Sequence, residues 1–304
     1  MPAGTRQRGT DRARCGGDGR PRRDGIWHLA TKRGDIAARL VVNCAGNFGD
    51  RVEALAGRGG FTIRPRKGQF VVLDKTARRF MPTIVLPVPT ARTKGIVLCP
   101  TAFGNVLVGP TAEDQDDRED ASVDEATLKT LIAEGTRMVP ALGDEPVTAL
   151  YAGLRPASER SDYIIDADRG AGWITVAGIR STGLTAALGI GEHVADLVGE
   201  HFRPLSPIAE PVVPRVANLA EHAPRDHERP GRGAIVCLCE SVTRDEIEAA
   251  LAGPLPAGDL GGLKRRTRAT MGRCQGFNCL AAVTTLAEGR LARPLAVTRL
   301  GHDG

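Results

Sequence analysis

The chain has 304 residues, of which 41% are hydrophobic and 25% charged, ordinary proportions for a globular protein with room for two domains. It contains no run of about eighteen apolar residues, as a membrane span requires, and no apolar N-terminal segment typical of a secretory signal. The net charge is +5, but residues 1–24 hold seven arginines and three aspartates, so the remainder is nearly neutral. We therefore expect a cytoplasmic protein that does not bind nucleic acid.

The first half of the chain is predicted to be rich in short strands. Residues 1–25 consist mainly of Arg, Gly and Asp without an apolar period, so we expect them to be disordered. Residues 26–31 and 40–43 are predicted strands, the second leading into a turn at Gly46. The segments "GQFVVLD", "TIVLPVP", "GIVLCPT" and "NVLVGPT" then predict an antiparallel sheet, because a short turn joins the last two.

The second half contains more helix and a separate C-terminal module. Ser122 and Glu125 have capping-box spacing and predict a helix start, whereas the acidic run 113–120 is expected to be a solvated turn. Strands are predicted in "VTALYAGLRP", "DYIIDA" and "WITVAG", followed by a glycine turn and a buried helix with apolar residues at helical spacing. Those apolar residues are Leu184, Leu188, Val194, Leu197 and Val198. We expect one domain at residues 26–203, a proline-rich linker at 204–233, a small C-terminal domain at 234–290 and a tail at 291–304.

Four cysteines in the C-terminal module predict a metal or cluster site. They form a CxC pair and a CxxxxC pair separated by 34 residues: Cys237, Cys239, Cys274 and Cys279. Four thiolates in two close pairs suit a [2Fe-2S] cluster, in which each iron takes two protein ligands. The segment Lys264–Arg268, the glycines Gly272 and Gly276, and a helix starting near the last cysteine would stabilise the anionic cluster.

Two other interpretations of these cysteines remain open. A structural zinc ion would use the same four thiolates, although zinc sites usually space their paired ligands by about two to four residues. Redox-active or unliganded thiols are the third interpretation. The remaining cysteines, Cys15, Cys44 and Cys99, are scattered and are expected to be buried or incidental thiols.

The C-terminal module resembles a known family. The segments "IVCLCESVTRDEIEAAL" and "LKRRTRATMGRCQGFNC" are similar to the bacterioferritin-associated-ferredoxin-like (BFD-like) [2Fe-2S] domain found at the end of some flavin dehydrogenases. The similarity covers about fifty residues and includes all four cysteines. It implies a [2Fe-2S] cluster bound by Cys237, Cys239, Cys274 and Cys279.

Residues 26–200 resemble the FAD-dependent oxidoreductases of the D-amino-acid-oxidase superfamily. The similarity rests on "VVNCAGNFGD", "RPRKGQFVVLD", "VLPVPT", "VLVGPTAED", "YAGLRPAS", "DYIIDA" and "VAGIRSTGLTAALGIGEHVADL", and is greatest to glycerol-3-phosphate dehydrogenase and L-2-hydroxyglutarate oxidase. It implies an α/β (α+β) fold: a partial FAD/NAD(P)-binding-type domain with an antiparallel substrate-domain sheet, followed by the small [2Fe-2S] domain.

The same resemblance implies where cofactor and substrate bind. A strand followed by a glycine turn and a helix N-terminus favours the negative charge of reduced flavin, although the same pattern also occurs as a plain connection. The residues implied to contact FAD are Asn43, Ala45, Gly46, Lys67, Gly68, Gly178, Ile179, Arg180, Ser181, Thr182 and Gly183. Arg155 is implied to bind a substrate carboxylate or phosphate through its guanidinium fork. No catalytic base can be named.

The sequence departs from that family in one respect. It has no GxGxxG turn between a strand and a helix, the element that cradles the FAD pyrophosphate, so we expect an N-terminally shortened flavoprotein. Our first hypothesis is a dehydrogenase or oxidase of glycerol 3-phosphate or a 2-hydroxy acid that passes electrons through the cluster to a quinone or carrier protein. The second is a truncated or partner-dependent electron-transfer subunit without independent FAD binding or catalysis. In either case, a partner could hold the protein at the periphery of the inner membrane. The third is a zinc-containing interaction module.

Overall fold

The computed structural model describes residues 22–31, 34–88, 95–211, 224–231, 233–253 and 255–293. The chain divides into two compact units. The first comprises Met1–Gly68, Ala112–Ala121 and Gly153–Ile208, and the second comprises Gln69–Thr111, Ser122–Ala152 and Ala209–Gly304. No helix within the described ranges is both long enough and apolar enough to cross a bilayer.

Strands and helices alternate irregularly along the chain. The strands are β1 (Arg22–Arg23), β2 (Ile26–Thr31), β3 (Gly34–Ala38), β4 (Val41–Asn43), β5 (Arg66–Leu73), β6 (Val97–Pro100), β7 (Val106–Gly109), β8 (Glu113–Asp114), β9 (Val147–Arg155), β10 (Ile164–Asp168), β11 (Trp173–Ala177), β12 (Ile235–Cys237) and β13 (Val242–Thr243). The helices are α1 (Gly49–Leu55), α2 (Glu125–Met138), α3 (Gly183–His201), α4 (Arg244–Ala252), α5 (Leu260–Thr267) and α6 (Leu280–Ala287). The mixture of helix and sheet agrees with the expected fold class.

The first unit contains two three-stranded sheets. One is an antiparallel meander of β1, β2 and β3. In the other, β11 lies between β10, to which it is antiparallel, and β4, to which it is parallel. All five residues of β11 are buried, as its continuous run "WITVA" requires of a central strand. The indole rings of Trp27 and Trp173 pack 4.9 Å apart between centroids.

A buried carboxylate holds the second of these sheets to α1. Glu53 Oε1 accepts hydrogen bonds from Thr175 Oγ1 at 2.5 Å, Trp173 Nε1 at 2.8 Å and Asn43 Nδ2 at 3.0 Å. Its Oε2 accepts from Arg58 Nε at 3.1 Å. Burial alone would raise the pKa of Glu53, but these donors outweigh it, so the pKa lies below its ordinary value. The charge is therefore well compensated by side chains from β4, from β11 and from the segment after α1.

The second unit contains an antiparallel sheet covered by α2. The end of β5 pairs with β7, and β7 pairs with β6, with β9 also alongside β5. Gly135 lets α2 approach this sheet closely, because an added Cβ would lie 3.2 Å from Val108 Cγ1. The core between helix and sheet is apolar and consists of Val71, Leu73, Ala77, Met81, Leu98, Val106, Val108, Leu131 and Leu142.

The same unit includes the C-terminal module. Its strands β12 and β13 form a small antiparallel sheet, and α4 begins with a capping box between Thr243 and Glu246. Helices α4, α5 and α6 enclose a separate apolar core of Cys237, Val242, Ile247, Leu251, Ala257, Leu263, Ala269, Cys279, Val283 and Ala287. Two of the predicted ligand cysteines are therefore part of this core.

Several predicted boundaries were wrong. The segment "TIVLPVP" forms only an isolated bridge between Val85 and Leu98, since its prolines lack the N–H that a ladder needs. Helix α2 is capped by Asp124, which accepts from Thr127 N at 2.8 Å, and not by Ser122. A strand not predicted, β3, precedes β4. Residues 22–25, the end of the segment expected to be disordered, form β1 and a turn, whereas residues 1–21 lie outside the described ranges.

The burial predicted for α3 was also wrong. The helix forms, but none of its residues is buried, and the side chains of Leu184 and Leu188 are 94% and 90% exposed. Helical spacing identifies residues that share a face, but it does not show what covers that face. Of the predicted linker 204–233 and tail 291–304, residues 212–223, 232 and 294–304 lie outside the described ranges, and residues 226–228 form a short 3₁₀ helix.

The buried carboxylate gives the first prediction. Replacing Glu53 by Gln is expected to lower the free energy of unfolding of the first unit by about 1–3 kcal/mol at neutral pH, because an amide N–H₂ would face the Arg58 guanidinium. Since the folded-state pKa is lowered, the stabilisation is present above the ordinary value of 4.5 and is lost as the pH falls below it. Denaturation followed by tryptophan fluorescence measures this directly, because both tryptophans lie in this unit.

The exposed Glu192 of α3 provides the matched control, since Glu192→Gln should leave stability unchanged. An E53Q protein as stable as the parent at neutral pH, with the same pH dependence, would contradict the role assigned to the buried carboxylate.

Candidate functional site

The four cysteines of the C-terminal module come together as two pairs. The thiols of Cys239 and Cys274 are hydrogen-bonded to each other, and so are those of Cys237 and Cys279. Each pair thus takes one thiol from each loop. Cys237 and Cys279 are buried, whereas Cys239 and Cys274 are partly exposed.

The four thiols lie close enough to affect one another. Cys237 and Cys274 both act on the pKa of Cys239, and both act on the pKa of Cys279. Four converging thiols from two loops are the donor set that a [2Fe-2S] cluster requires, and a structural zinc ion would use the same four ligands.

Backbone N–H groups point at the sulfurs. The amides of Asn278, Gly276 and Phe277 donate to the thiol of Cys274, and together with the Cys239 thiol they lower the pKa of Cys274. The Thr270 amide donates to Cys279. Thr270, Gln275 and Gly276 have φ of 68°, 50° and 90°, so the chain adopts left-handed conformations to aim these groups.

Neighbouring thiols resist joint ionisation without a cation. Burial and the nearby Cys237 raise the pKa of Cys279 to about 11. The Cys239 pKa is also raised: the hydrogen bond from the Cys274 amide lowers it, but burial and the Cys274 and Cys237 thiols outweigh that bond. Four thiolates at this site therefore need positive charge, which bound iron would supply. The residues present fit a [2Fe-2S] cluster.

The close packing of the two cysteine loops depends on Gly272. A Cβ at this position would lie 2.2 Å from Cys239 Cβ and 3.2 Å from Glu240 Oε1. Only glycine permits this approach. Of the expected basic segment Lys264–Arg268, Arg266 bonds Leu255 O and Gly262 O, while Arg268 is directed towards Glu240. Cys279 is the N-cap of α6. This agrees with the prediction that a helix starts near the last cysteine.

In the first unit, the residues implied to contact FAD form two turns. Asn43 ends β4; its Oδ1 accepts from Ala45 N at 3.2 Å and its Nδ2 donates to Gly49 O at 2.9 Å, which closes the turn that holds Gly46. Gly46 has φ of 55°, and no atom lies within 4 Å of where its Cβ would be. The Asn43 side chain thus shapes this turn, and the small residues after it leave its surface open.

The second turn joins β11 to α3. Gly178 has φ of 66° and a Cβ there would lie 3.0 Å from Ser158 Oγ, so a larger residue is disfavoured. Arg180, with φ of 60°, folds its guanidinium back onto Ser158 O at 3.2 Å and Arg160 O. Ile179, Ser181, Thr182 and Gly183 complete the turn, and Thr182 makes no side-chain cap hydrogen bond to the helix. The first amides of α3 therefore form an exposed positive pole.

Positive charge is concentrated beside the predicted substrate residue. Arg155 is half-buried, and both burial and the nearby Arg66 lower the pKa of its guanidinium. Arg66 Nε lies 2.6 Å from Asp114 Oδ1, and the pKa of Asp114 is lowered by Arg66 first and then by Arg64 and Arg180. Arg66 thus lies near both Arg155 and Asp114, while Arg64 and Arg180 also lie near Asp114 and Arg64 pairs with Asp116. Several guanidinium groups close together suit an anionic ligand such as a phosphate or carboxylate.

Two other predicted residues lie on β5. Lys67 Nζ is 3.9 Å from Asp120 Oδ2, and its side chain is largely covered, while Gly68 is buried in the strand. The sequence singled out these two residues but not Arg66, which lies in the same "RPRKGQ" segment and is near Arg155. Side chains alternate along a strand, so the sequence places Arg66 and Lys67 on opposite faces of β5. It does not show which of these faces lies towards Arg155.

The acidic run 113–120 is more than the solvated turn expected from the sequence. Arg118 and Asp50 form a mostly buried ion pair, with Nη2 and Oδ2 2.8 Å apart, and Arg118 also donates to Ile63 O at 2.8 Å. Asp114 and Asp116 pair with Arg66 and Arg64. The run therefore ties the arginine-rich start of β5 in place. Charge composition alone could not show these pairings.

Two family models match different parts of the chain. The chain belongs to the family of FAD dependent oxidoreductases (DAO), which it matches over residues 12–197. Residues 235–288 match the BFD-like [2Fe-2S] binding domain, which contains all four paired cysteines. The two resemblances inferred from the sequence are thus confirmed, and FAD and a [2Fe-2S] cluster are the cofactors of these families.

The names of two similar proteins refer to glycerol 3-phosphate. The chain is 31% identical over 295 residues to a "Glycerol 3-phosphate dehydrogenase" of Caloramator mitchellensis, covering 93% of this chain and 61% of that protein. It is 28% identical over 291 residues to "Anaerobic glycerol-3-phosphate dehydrogenase subunit A1" of Haloferax volcanii, covering 81% and 47%. The chain therefore spans about half to three fifths of the length of these relatives.

A solved structure shows the same fold. The dithionite-reduced L-alpha-glycerophosphate oxidase of Mycoplasma pneumoniae, with FAD bound, aligns with a TM-score of 0.53 and 29% identity. The alignment covers 58% of this chain and 47% of the oxidase chain.

The glycine between the cysteine loops gives the second prediction. Gly272→Ala is expected to abolish most cluster binding, because the new methyl group would force Cys239 away from Cys274. Iron and acid-labile sulfide per chain, measured after anaerobic purification, should fall at least tenfold, with loss of visible absorption. Gly258→Ala is the matched control, since no atom lies within 4 Å of a Cβ at this glycine of the same module. Full iron content in the G272A protein would contradict the assigned geometry.

Proposed function

We propose that this chain oxidises glycerol 3-phosphate with FAD and passes the electrons through its [2Fe-2S] cluster. The observation that carries the proposal is the group of arginines around Arg155 in the same unit as the glycine turn and the helix N-terminus of α3. A phosphate dianion is the small-molecule group that best matches several guanidinium groups, and the names of the relatives support the same substrate.

Each part of the chain has a role in this proposal. Arg155 and Arg66 hold the substrate phosphate and orient the neighbouring C–OH carbon. The turn residues Gly178, Ile179, Arg180, Ser181, Thr182 and Gly183, with Asn43, Ala45, Gly46, Lys67 and Gly68, form the wall for the flavin ring, and the amides at the start of α3 stabilise negative charge there. FAD, when bound, would accept a hydride from that carbon while the hydroxyl proton is released, and a bound cluster would pass the two electrons on one at a time.

The cysteine pairs are the proposed exit for electrons. Cys237, Cys239, Cys274 and Cys279 hold the cluster, and the partly exposed pair, Cys239 and Cys274, is the side from which an electron acceptor is reached. We propose a quinone or carrier protein as that acceptor. A partner subunit, which would also attach the chain to a membrane, is proposed because a relative is named as subunit A1.

A second candidate function is a partner-dependent electron-transfer subunit. The name of one relative, which is a subunit A1, favours it. Anaerobic purification with measurement of flavin and iron separates the two. Bound flavin with reduction by glycerol 3-phosphate supports the enzyme, whereas iron without flavin, and no reduction after FAD is added, supports the subunit.

The substrate itself is tested in the same preparation. With an artificial electron acceptor and added FAD, glycerol 3-phosphate should be oxidised at a higher kcat/KM than a 2-hydroxy acid such as lactate, because a single carboxylate leaves part of the arginine group unmatched. A higher kcat/KM for the 2-hydroxy acid would contradict the proposed substrate.

The arginine fork gives the third prediction. Arg155→Lys is expected to raise the KM for glycerol 3-phosphate at least tenfold with a smaller change in kcat, because a lysine cannot make the bidentate contact. The exposed Arg169 serves as the matched control, and Arg169→Lys should leave both constants unchanged. An unchanged KM in the R155K protein would remove Arg155 from the substrate site.

A further inference from the structure

The second unit contains a buried acidic residue next to the cysteine pairs. Glu240 directly follows Cys239, and its side chain is 2% exposed. Its Oε2 lies 2.8 Å from Arg268 Nε and 3.3 Å from Lys75 Nζ. A buried carboxylate beside an anionic cluster is unfavourable unless it is compensated, and here two cations compensate it.

One of these cations comes from outside the [2Fe-2S] domain. Lys75 is the first residue of a 3₁₀ helix, Lys75–Phe80, that follows β5. It lies in the sheet region of the unit, which we define as the described residues of Gln69–Thr111 and Ser122–Ala152. Its Nζ also donates to the backbone oxygen of Cys239 at 3.2 Å. Lys75 therefore contacts both the backbone of a predicted ligand and the acidic side chain after it.

Other contacts fix the same loops to the sheet region. Arg268 Nη2 donates to Asn105 Oδ1 at 3.0 Å, and its guanidinium lies 4.1 Å from the centroid of the Phe103 ring. Asn105 Nδ2 in turn donates to Leu73 O at 3.0 Å. Arg268 has φ of 70°, a left-handed conformation that ends α5 at this contact.

The second cysteine loop is tied to the sheet region as well. Arg273, which precedes Cys274, has Nη2 2.6 Å from Asp74 Oδ2. Gln275, which follows Cys274, donates to Thr148 O. Both members of the partly exposed pair, Cys239 and Cys274, thus have neighbours that are bonded to the sheet region.

We propose that Lys75 is a positioning residue of the iron–sulfur centre, which the sheet region supplies to balance charge and to fix the Cys239–Glu240 backbone. The inference rests on the [2Fe-2S] centre and not on the identity of the substrate. Glu240 contributes one negative charge, and Lys75 and Arg268 contribute two positive charges. These three side chains therefore carry a net positive charge beside the predicted cluster ligand Cys239. Reduction adds one electron to an anionic cluster, and a nearby cation favours it.

The test replaces the charge of Lys75 and keeps a hydrogen-bond donor. In the full chain, purified anaerobically with its cluster, Lys75→Gln is expected to lower the ratio of reduced to oxidised cluster at a fixed potential about tenfold, equivalent to a shift of ~59 mV to lower potential for one electron. Lys75→Arg should keep the parent potential. The measurement is a redox titration followed by electron paramagnetic resonance, with iron content determined in parallel.

Lys129→Gln is the matched control, because Lys129 is an exposed lysine of the same unit that pairs with Glu125 on the surface of α2. A K75Q protein with full iron content and the parent potential would overturn the proposal. If K75Q loses iron, restoration of the iron by K75R supports the proposal, and loss in both variants overturns it. A parent protein without iron would overturn the cluster itself.

Discussion

Mutual repulsion among four thiolates is the constraint on which the C-terminal part of the structure depends. Two loops separated by 34 residues bring the sulfurs into two pairs, and the protonated thiols share hydrogen bonds that thiolates could not. Two features of the site offset this negative charge. Backbone amides point at the sulfurs from residues in left-handed conformations, and the cations Arg268 and Lys75 surround Glu240. Iron supplies the remaining positive charge. The domain is therefore built for its cluster, with two sulfurs placed inside the apolar core.

The first unit solves a related problem with different groups. In our proposal the anion there is a small molecule, and the compensating charges are guanidinium groups and the amides at the start of a helix. Asp114, Asp116 and Asp50 pair with Arg66, Arg64 and Arg118, which holds the arginine-rich segment in place while Arg155 remains beside it. In both units, positively charged side chains are held by fixed partners, as the proposed anionic substrate and cofactors would require.

The sequence predicted the chemistry better than the boundaries. The four cysteines and the "GIRSTG" turn were recognisable because metal ligands and helix starts depend on local residue types. The capping residue of α2, Asp124 in place of Ser122, and the missing strand in "TIVLPVP" were not, since competing caps and prolines decide them locally. The exposure of α3, the Lys75–Glu240 contact and the arginine group depend on tertiary packing between residues far apart in sequence. Periodicity contains no information about such contacts.

The most direct test of the account is the metal and sulfide content of the full chain, purified without oxygen. The account predicts about two irons and two acid-labile sulfides per chain, with a paramagnetic signal that appears only on one-electron reduction. One zinc ion per chain without sulfide, or a colourless protein with no metal, would contradict it.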